Sequence, residues 1–306
     1  MNLHDGPLPH YAGLNAPVWA ILNGESQHGI SWHVIEGGVD EGDVLESRCF
    51  DIEAHDTALT LNTRCFEAAI ESFPGILVQL ESDVLQRKPQ DLSHRRLYLR
   101  SDRPTAMGRI DFTQPAEAVV RLVRALDHGR YWNPQTTAKI ACADRVLNVG
   151  AADIAEGAGA PGQVLHVDEA GLVVASGSGA VRLMRLTCQE KGLAVSPTTV
   201  TDAVLLAGAE GLSTLGYSLA VAEPALRKAL KSMQPAALGH ASTAAADWQT
   251  LPLSGALADL ALAAALASGA DVVDLAQEAQ GVAGYVSGWR PLRVAAVGRV
   301  TQARST

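Results

Sequence analysis

The stretch NLHDGPLPHYAG, Asn2 to Gly13, decides how the rest of this sequence is read. It packs an amide, two imidazoles and two prolines into one short segment. Asn2 and His4 are two residues apart, so at a strand end their side chains share one face. Pro7, Pro9 and Gly13 force the backbone that follows into a rigid loop. Asp40, Glu41 and Asp43 lie on a turn just past a predicted strand, Ile30 to Glu36. If His4 meets one of these carboxylates, amide, imidazole and carboxylate form a cluster able to manage protons and stabilise an oxyanion.

Working outward, LNAPVWAILN (Leu14–Asn23) reads as a short helix that Gly24 stops. Gly37–Gly38 breaks the strand that ends at Glu36, and Asp43 to Phe50 reads as a second strand. Asp56–Thr57 is an N-cap for a long amphipathic helix to about Gln79, which Pro74–Gly75 kinks or divides. Gln90 to Pro104 is polar and basic, a linker whose Arg95, Arg96, Arg100 and Arg103 read as a solvated face. Pro115 to Leu126 reads as a helix with proline in its first turn. Five short alternating runs follow: Ala138–Cys142, Val146–Val149, Val164–Val167, Leu172–Ser176 and Val181–Leu186. With Gly-rich turns between them, they predict a small β-barrel. Beyond Pro197 the sequence turns Ala-rich, with a predicted helix at Leu253–Ala267 and an extended segment at Trp289–Val297.

The composition sets limits on function. The chain has 306 residues, 47% hydrophobic and 19% charged, enough to bury a core. Its net charge of −9 is concentrated early: residues 1–93 hold 4 Lys+Arg against 15 Asp+Glu. That acidity argues against nucleic acid or an anionic membrane as the direct partner of this part. Residues 94–195 hold 13 basic against 10 acidic residues, too weak a balance to make an RNA-binding face by itself. The cysteines, Cys49, Cys65, Cys142 and Cys188, have neither zinc-site nor disulfide spacing and read as reduced thiols of a cytoplasmic protein. His28 and His33 read as strand or loop residues, and Tyr11 and Trp19 as packing residues.

The pattern N-x-H-x-x-x-L-P-x-Y-x-G, then P-x-x-A-I-x-x-G, then a strand and V-D-E-G-D resembles the formyltransferase superfamily. The match runs through Asn2, His4, Leu8, Pro9, Tyr11, Gly13, Pro17, Ala20, Ile21, Gly24, Gly29 and Val39–Asp43, and Ile110–Ile140 resembles the join to the family's C-terminal domain. The resemblance implies an α/β fold. Residues 1–93 would be the C-terminal half of a Rossmann-like catalytic domain. Residues 94–195 would be a linker and an OB-like β-barrel, and residues 196–306 an α-rich segment similar to the start of a synthetase condensation-like region. It implies catalytic roles for Asn2, His4 and Asp40, with 10-formyltetrahydrofolate as formyl donor and no metal. The folate would lie against Glu36, Gly37, Gly38, Val39 and Asp43.

The family normally carries a further half-sheet before the Asn-x-His, so the expectation is a partial domain. A neighbouring chain would then supply the other half, with an exposed apolar sheet edge near residues 1–4 and 30–50. HDGPLP stands where tRNA-formylating members usually read HPSLLP. That wording is more similar to formylation domains fused to nonribosomal peptide synthetases. The expected acceptor is an amine-bearing small molecule or a carrier-bound aminoacyl group, ahead of tRNA. A remnant serving only as a scaffold is the alternative from outside the enzymes.

Overall fold

The computed structural model describes residues 1–100, 102–131, 133–141, 146–188, 194–200, 272–278 and 289–295. The chain divides into two units, 1–221 and 222–306.

The first unit opens with β1 (Asn2–His4), β2 (Ala12–Gly13), α1 (Ala16–Asn23), β3 (Gln27–His33), β4 (Val44–Asp51) and α2 (Ala58–Glu81). β1, β3 and β4 make an antiparallel sheet in that order, with β1 at one edge. The register sets Asn2 opposite His33 and His4 opposite Ser31. The other face of the sheet packs on α2: Ile30, Cys65 and Ala69 form a small core with Leu3 and Trp32 against it. The Trp32 indole N–H donates to Ser72 of α2 at 3.0 Å. Alternation along β1 and β3 thus places the polar site residues on the face away from α2.

β3 starts three residues earlier than the predicted strand and ends at His33, because its ladder with β4 begins at Gln27 opposite Asp51. Helix α1 is closed by Gly24 in the left-handed region, as its sequence signal requires. Helix α2 begins at a capping box in which Thr57 and Thr60 each accept the other's backbone N–H. It runs on through Pro74 without dividing. Pro74 sits on the exposed side, where the carbonyl its ring leaves without an N–H partner can turn to water.

The chain continues through β5 (Leu97–Tyr98), which pairs in parallel with β2, to α3 (Ala116–Ala125). Five strands follow: β6 (Lys139–Ala141), β7 (Val146–Ala155), β8 (Val164–Val167), β9 (Leu172–Ala175) and β10 (Ala180–Cys188). All five predicted runs are strands. They make one antiparallel sheet in the order β6-β7-β10-β9-β8, and among the described residues no pairing of β6 with β8 closes it into a ring. Val119 and Val123 of α3, Ile21 of α1, and Leu147, Leu172 and Leu183 of the sheet share one buried core around Phe112.

Of the second unit, β11 (Val272–Glu278) and β12 (Trp289–Ala295) form an antiparallel pair. β12 covers most of the predicted extended segment. The helix expected at Leu253–Ala267 lies outside the described residues. No described helix is long and apolar enough to cross a membrane.

Candidate active site

His4 is buried at the end of β1. Its Nε2 lies 2.5 Å from the Tyr11 carbonyl oxygen, and its Nδ1 lies 3.5 Å from Asp40 Oδ2 and 3.8 Å from Asp5 Oδ1. Both nitrogens therefore face acceptor oxygens, and both can donate only when the ring carries two protons. The carboxylate distances exceed a formed hydrogen bond, so a third oxygen can still meet the Nδ1 edge of the ring.

Asp40 holds the centre. Its Oδ2 accepts the Gly13 backbone N–H at 2.8 Å, and its Oδ1 lies 3.4 Å from His33 Nε2. Burial alone would raise its pKa. The hydrogen bonds from His33 and Gly13 and the charges on the two histidines outweigh that and hold it below the ordinary carboxylate value. Asp40 takes a left-handed backbone conformation, φ 55°, and its carbonyl accepts from Gln90 at 2.9 Å. Gly13 (φ 95°) must be glycine: a Cβ there would lie 2.1 Å from the Tyr98 carbonyl oxygen.

His33 joins the cluster, where sequence reasoning left it a plain strand residue. Its Nδ1 donates to the Val34 carbonyl at 2.9 Å, and Asn2 Nδ2 approaches its Nε2 at 3.2 Å. Nε2 is thus shared: it accepts from the Asn2 amide when neutral and donates to Asp40 when protonated. On β3 His33 shares a face with Ser31, two residues earlier, and the register of β1 on β3 sets it opposite Asn2. Ser31 is a further unforeseen support. It accepts the Leu8 N–H and donates to the Gly6 carbonyl, both at 3.0 Å, holding the Gly-Pro loop against the sheet.

The structure therefore gathers Asn2, His4 and Asp40, and chooses Asp40 from the three turn carboxylates. Glu41 instead accepts the Gly38 N–H at 2.9 Å, and Asp43 pairs with Arg87 at 2.9 Å. Glu36, Gly37, Gly38 and Val39 form an exposed loop flanking Asp40. Arg87 clamps both ends of this loop by pairing with Glu36 and Asp43. Arg95, expected on a solvated linker, donates to the Val39 carbonyl at 2.6 Å. Gln90 reaches the Gly42 carbonyl at 2.6 Å. Ile35 and Val39 stay exposed beside the backbone polar groups of the loop. Tyr11 and Trp19 flank the Tyr98 ring in a stack, and Asn23 bonds both tyrosine hydroxyls. Among the described residues no group of His, Cys, Asp and Glu is arranged to hold a metal.

Residues 1–77 match the family profile described as "Formyl transferase", and residues 104–197 match "Formyl transferase, C-terminal domain". Both segments belong to the formyl transferase family. Among relatives of this chain, the methionyl-tRNA formyltransferase of Pseudomonas syringae pv. tomato is 34% identical over 186 residues, covering 61% of the chain and 57% of the relative. That of Macrococcus caseolyticus is 31% identical over 187 residues, with the same coverage. The chain thus spans just over half the length of these curated relatives. Among solved structures, HypX from Aquifex aeolicus in complex with tetrahydrofolic acid superposes with a TM-score of 0.52 at 24% identity, covering 65% of this chain and 34% of HypX. The N-formyltransferase from Helicobacter canadensis, in complex with folinic acid and dTDP-3-aminofucose, gives 0.50 at 18% identity, covering 60% and 65%. At these identities the superpositions speak to the fold.

Proposed function

We propose that this chain transfers a formyl group from 10-formyltetrahydrofolate to an amino group. The observation that carries the reading is the convergence of Asn2, His4, His33 and Asp40 on one sheet face. The exposed residues 35–39 fit the donor: Ile35 and Val39 offer apolar contact, and the backbone offers polar groups to a flat heterocycle beside Asp40. When bound, the donor supplies a formyl carbon open to attack by an amine.

His4 and the Asn2 amide are the donors that would meet the negative charge developing on the formyl oxygen. Asp40 faces the His4 ring across 3.5 Å and offers a carboxylate through which the amine can lose its proton, by way of water. Gly13 N–H and Gln90 fix the position of Asp40, and Ser31 fixes the loop over the sheet.

The assay is release of tetrahydrofolate from 10-formyltetrahydrofolate in the presence of an amine acceptor. His4→Ala should slow it by about 10²–10⁴-fold. Equal turnover in the two proteins overturns the reading. Two acceptors compete. The HDGPLP wording favours an aminoacyl group on a peptide-synthetase carrier, and the 34% identity to a methionyl-tRNA formyltransferase favours methionyl-tRNA. Supplying each in turn to the same assay decides between them.

A further inference from the structure

A cavity of about 600 Å³ opens beside the cluster and touches it through Asp5 and Gly13. It has the volume of a small-molecule site. Two carboxylates flank His4 Nδ1, and they are not equivalent. Both Asp40 oxygens are engaged, by Gly13 and His4 on one side and by His33 on the other. Among the described residues the Asp5 carboxylate accepts from its own backbone N–H and lies 3.8 Å from His4, and its half-buried side chain lines the cavity.

The other walls narrow what could enter. Leu14, Val18, Phe66 and Tyr131 make an apolar side. Asn15 and Asn62 add two amides. Asn15 stands at the N-terminus of α1 with no capping hydrogen bond from its side chain. We propose that this cavity is the acceptor site, and that the Asp5 carboxylate receives the ammonium group of an α-aminoacyl acceptor there. The acceptor's apolar side chain would lie against Leu14 and Phe66, and its carbonyl within reach of the Asn62 amide. A carboxylate wall repels the anionic end of a folate and attracts a cation. Burial, offset in part by the nearby His4, raises the Asp5 pKa, and an arriving ammonium is the partner that relieves that cost. The inference rests on the formyl-transfer reading for what the cavity serves.

The test uses the full chain without donor. L-Leucinamide and the neutral N-acetyl-L-leucinamide are titrated by ligand-observed NMR at a pH where the free amine is protonated. The expected result is saturable binding of leucinamide, weakened about tenfold or more in Asp5→Asn, as loss of a charge-assisted hydrogen bond requires. The acetylated compound should bind both proteins equally weakly. Equal affinity of the parent for the two compounds overturns the inference without any variant. So does absence of saturable leucinamide binding, or equal leucinamide binding by parent and a folded Asp5→Asn. With no donor present, failure here leaves the transfer assay to judge the formyl-transfer reading separately.

Discussion

His28 makes the stability of this protein depend on pH in a calculable way. It is 1% exposed, and its Nε2 donates to the Asp5 carbonyl at 2.8 Å. The rings of Tyr11 and Phe50 meet it edge-on at 6.0 and 6.3 Å, and its Nδ1 is buried with no partner. A second proton would place an N–H in that apolar slot. Burial lowers the pKa first and the charge on His4 adds to it, while the Asp5 carbonyl and Glu25 pull the other way. The result falls from 6.5 to about 4.

The folded value is depressed, so the contribution is fully present above 6.5. It is lost as pH falls through the interval down to about 4, where the folded protein also takes up the proton. At about 1.36 kcal/mol per pH unit, that interval amounts to about 3 kcal/mol. Urea unfolding followed by tryptophan fluorescence, from neutral pH to about 4, should show it on comparison with His28→Gln. Glutamine keeps an N–H for the Asp5 carbonyl and does not titrate. The parent should lose about 3 kcal/mol more than the variant over this range. Asp40 and Asp56, also depressed, lose their contribution below the ordinary carboxylate value, and in both proteins alike. Parallel pH curves for parent and variant refute the argument.

Two further outcomes follow from local geometry. Gly13→Ala combines a positive φ with a Cβ 2.1 Å from the Tyr98 carbonyl oxygen, and it strains the N–H that holds Asp40. It should cost about 2 kcal/mol or more and lower the melting temperature by roughly 4–8 °C, read by differential scanning calorimetry. Thr57→Ala removes one half of the capping box of α2 and should cost about 1 kcal/mol in urea unfolding, with turnover in the transfer assay unchanged.

Local signals were legible wherever a residue's neighbours in sequence decide its state. Gly24 stops α1 and Thr57 starts α2 because both act through their own backbone and that of the next turn. The five runs from Lys139 to Cys188 alternate visibly and are strands. Whether their sheet closes depends on pairing between its first and last strands, which no single run encodes. Asn2, His4 and Asp40 were found by spacing and resemblance. His33 was not, because its role comes from the register that sets it across from Asn2, a fact about two strands. Arg87 and Arg95 looked like solvated charge, and only the tertiary fold brings them to the loop at residues 36–43. Pro74 could kink the helix or divide it; the helix does not divide there, and the carbonyl left without its N–H partner lies on the exposed side.

The carboxylate at the heart of the cluster is tethered by Gly13, whose strand is two residues long and held in place by Leu97 and Tyr98. Those two residues belong to the segment that leads toward α3 and the five-stranded sheet. The alignment of the cluster therefore depends on a segment more than fifty residues along the chain from Asp40. If 97–98 peels away, Gly13 loses its rail and Asp40 one of its anchors. Hydrogen exchange at the Gly13 amide would report the fraction of time the site spends disassembled.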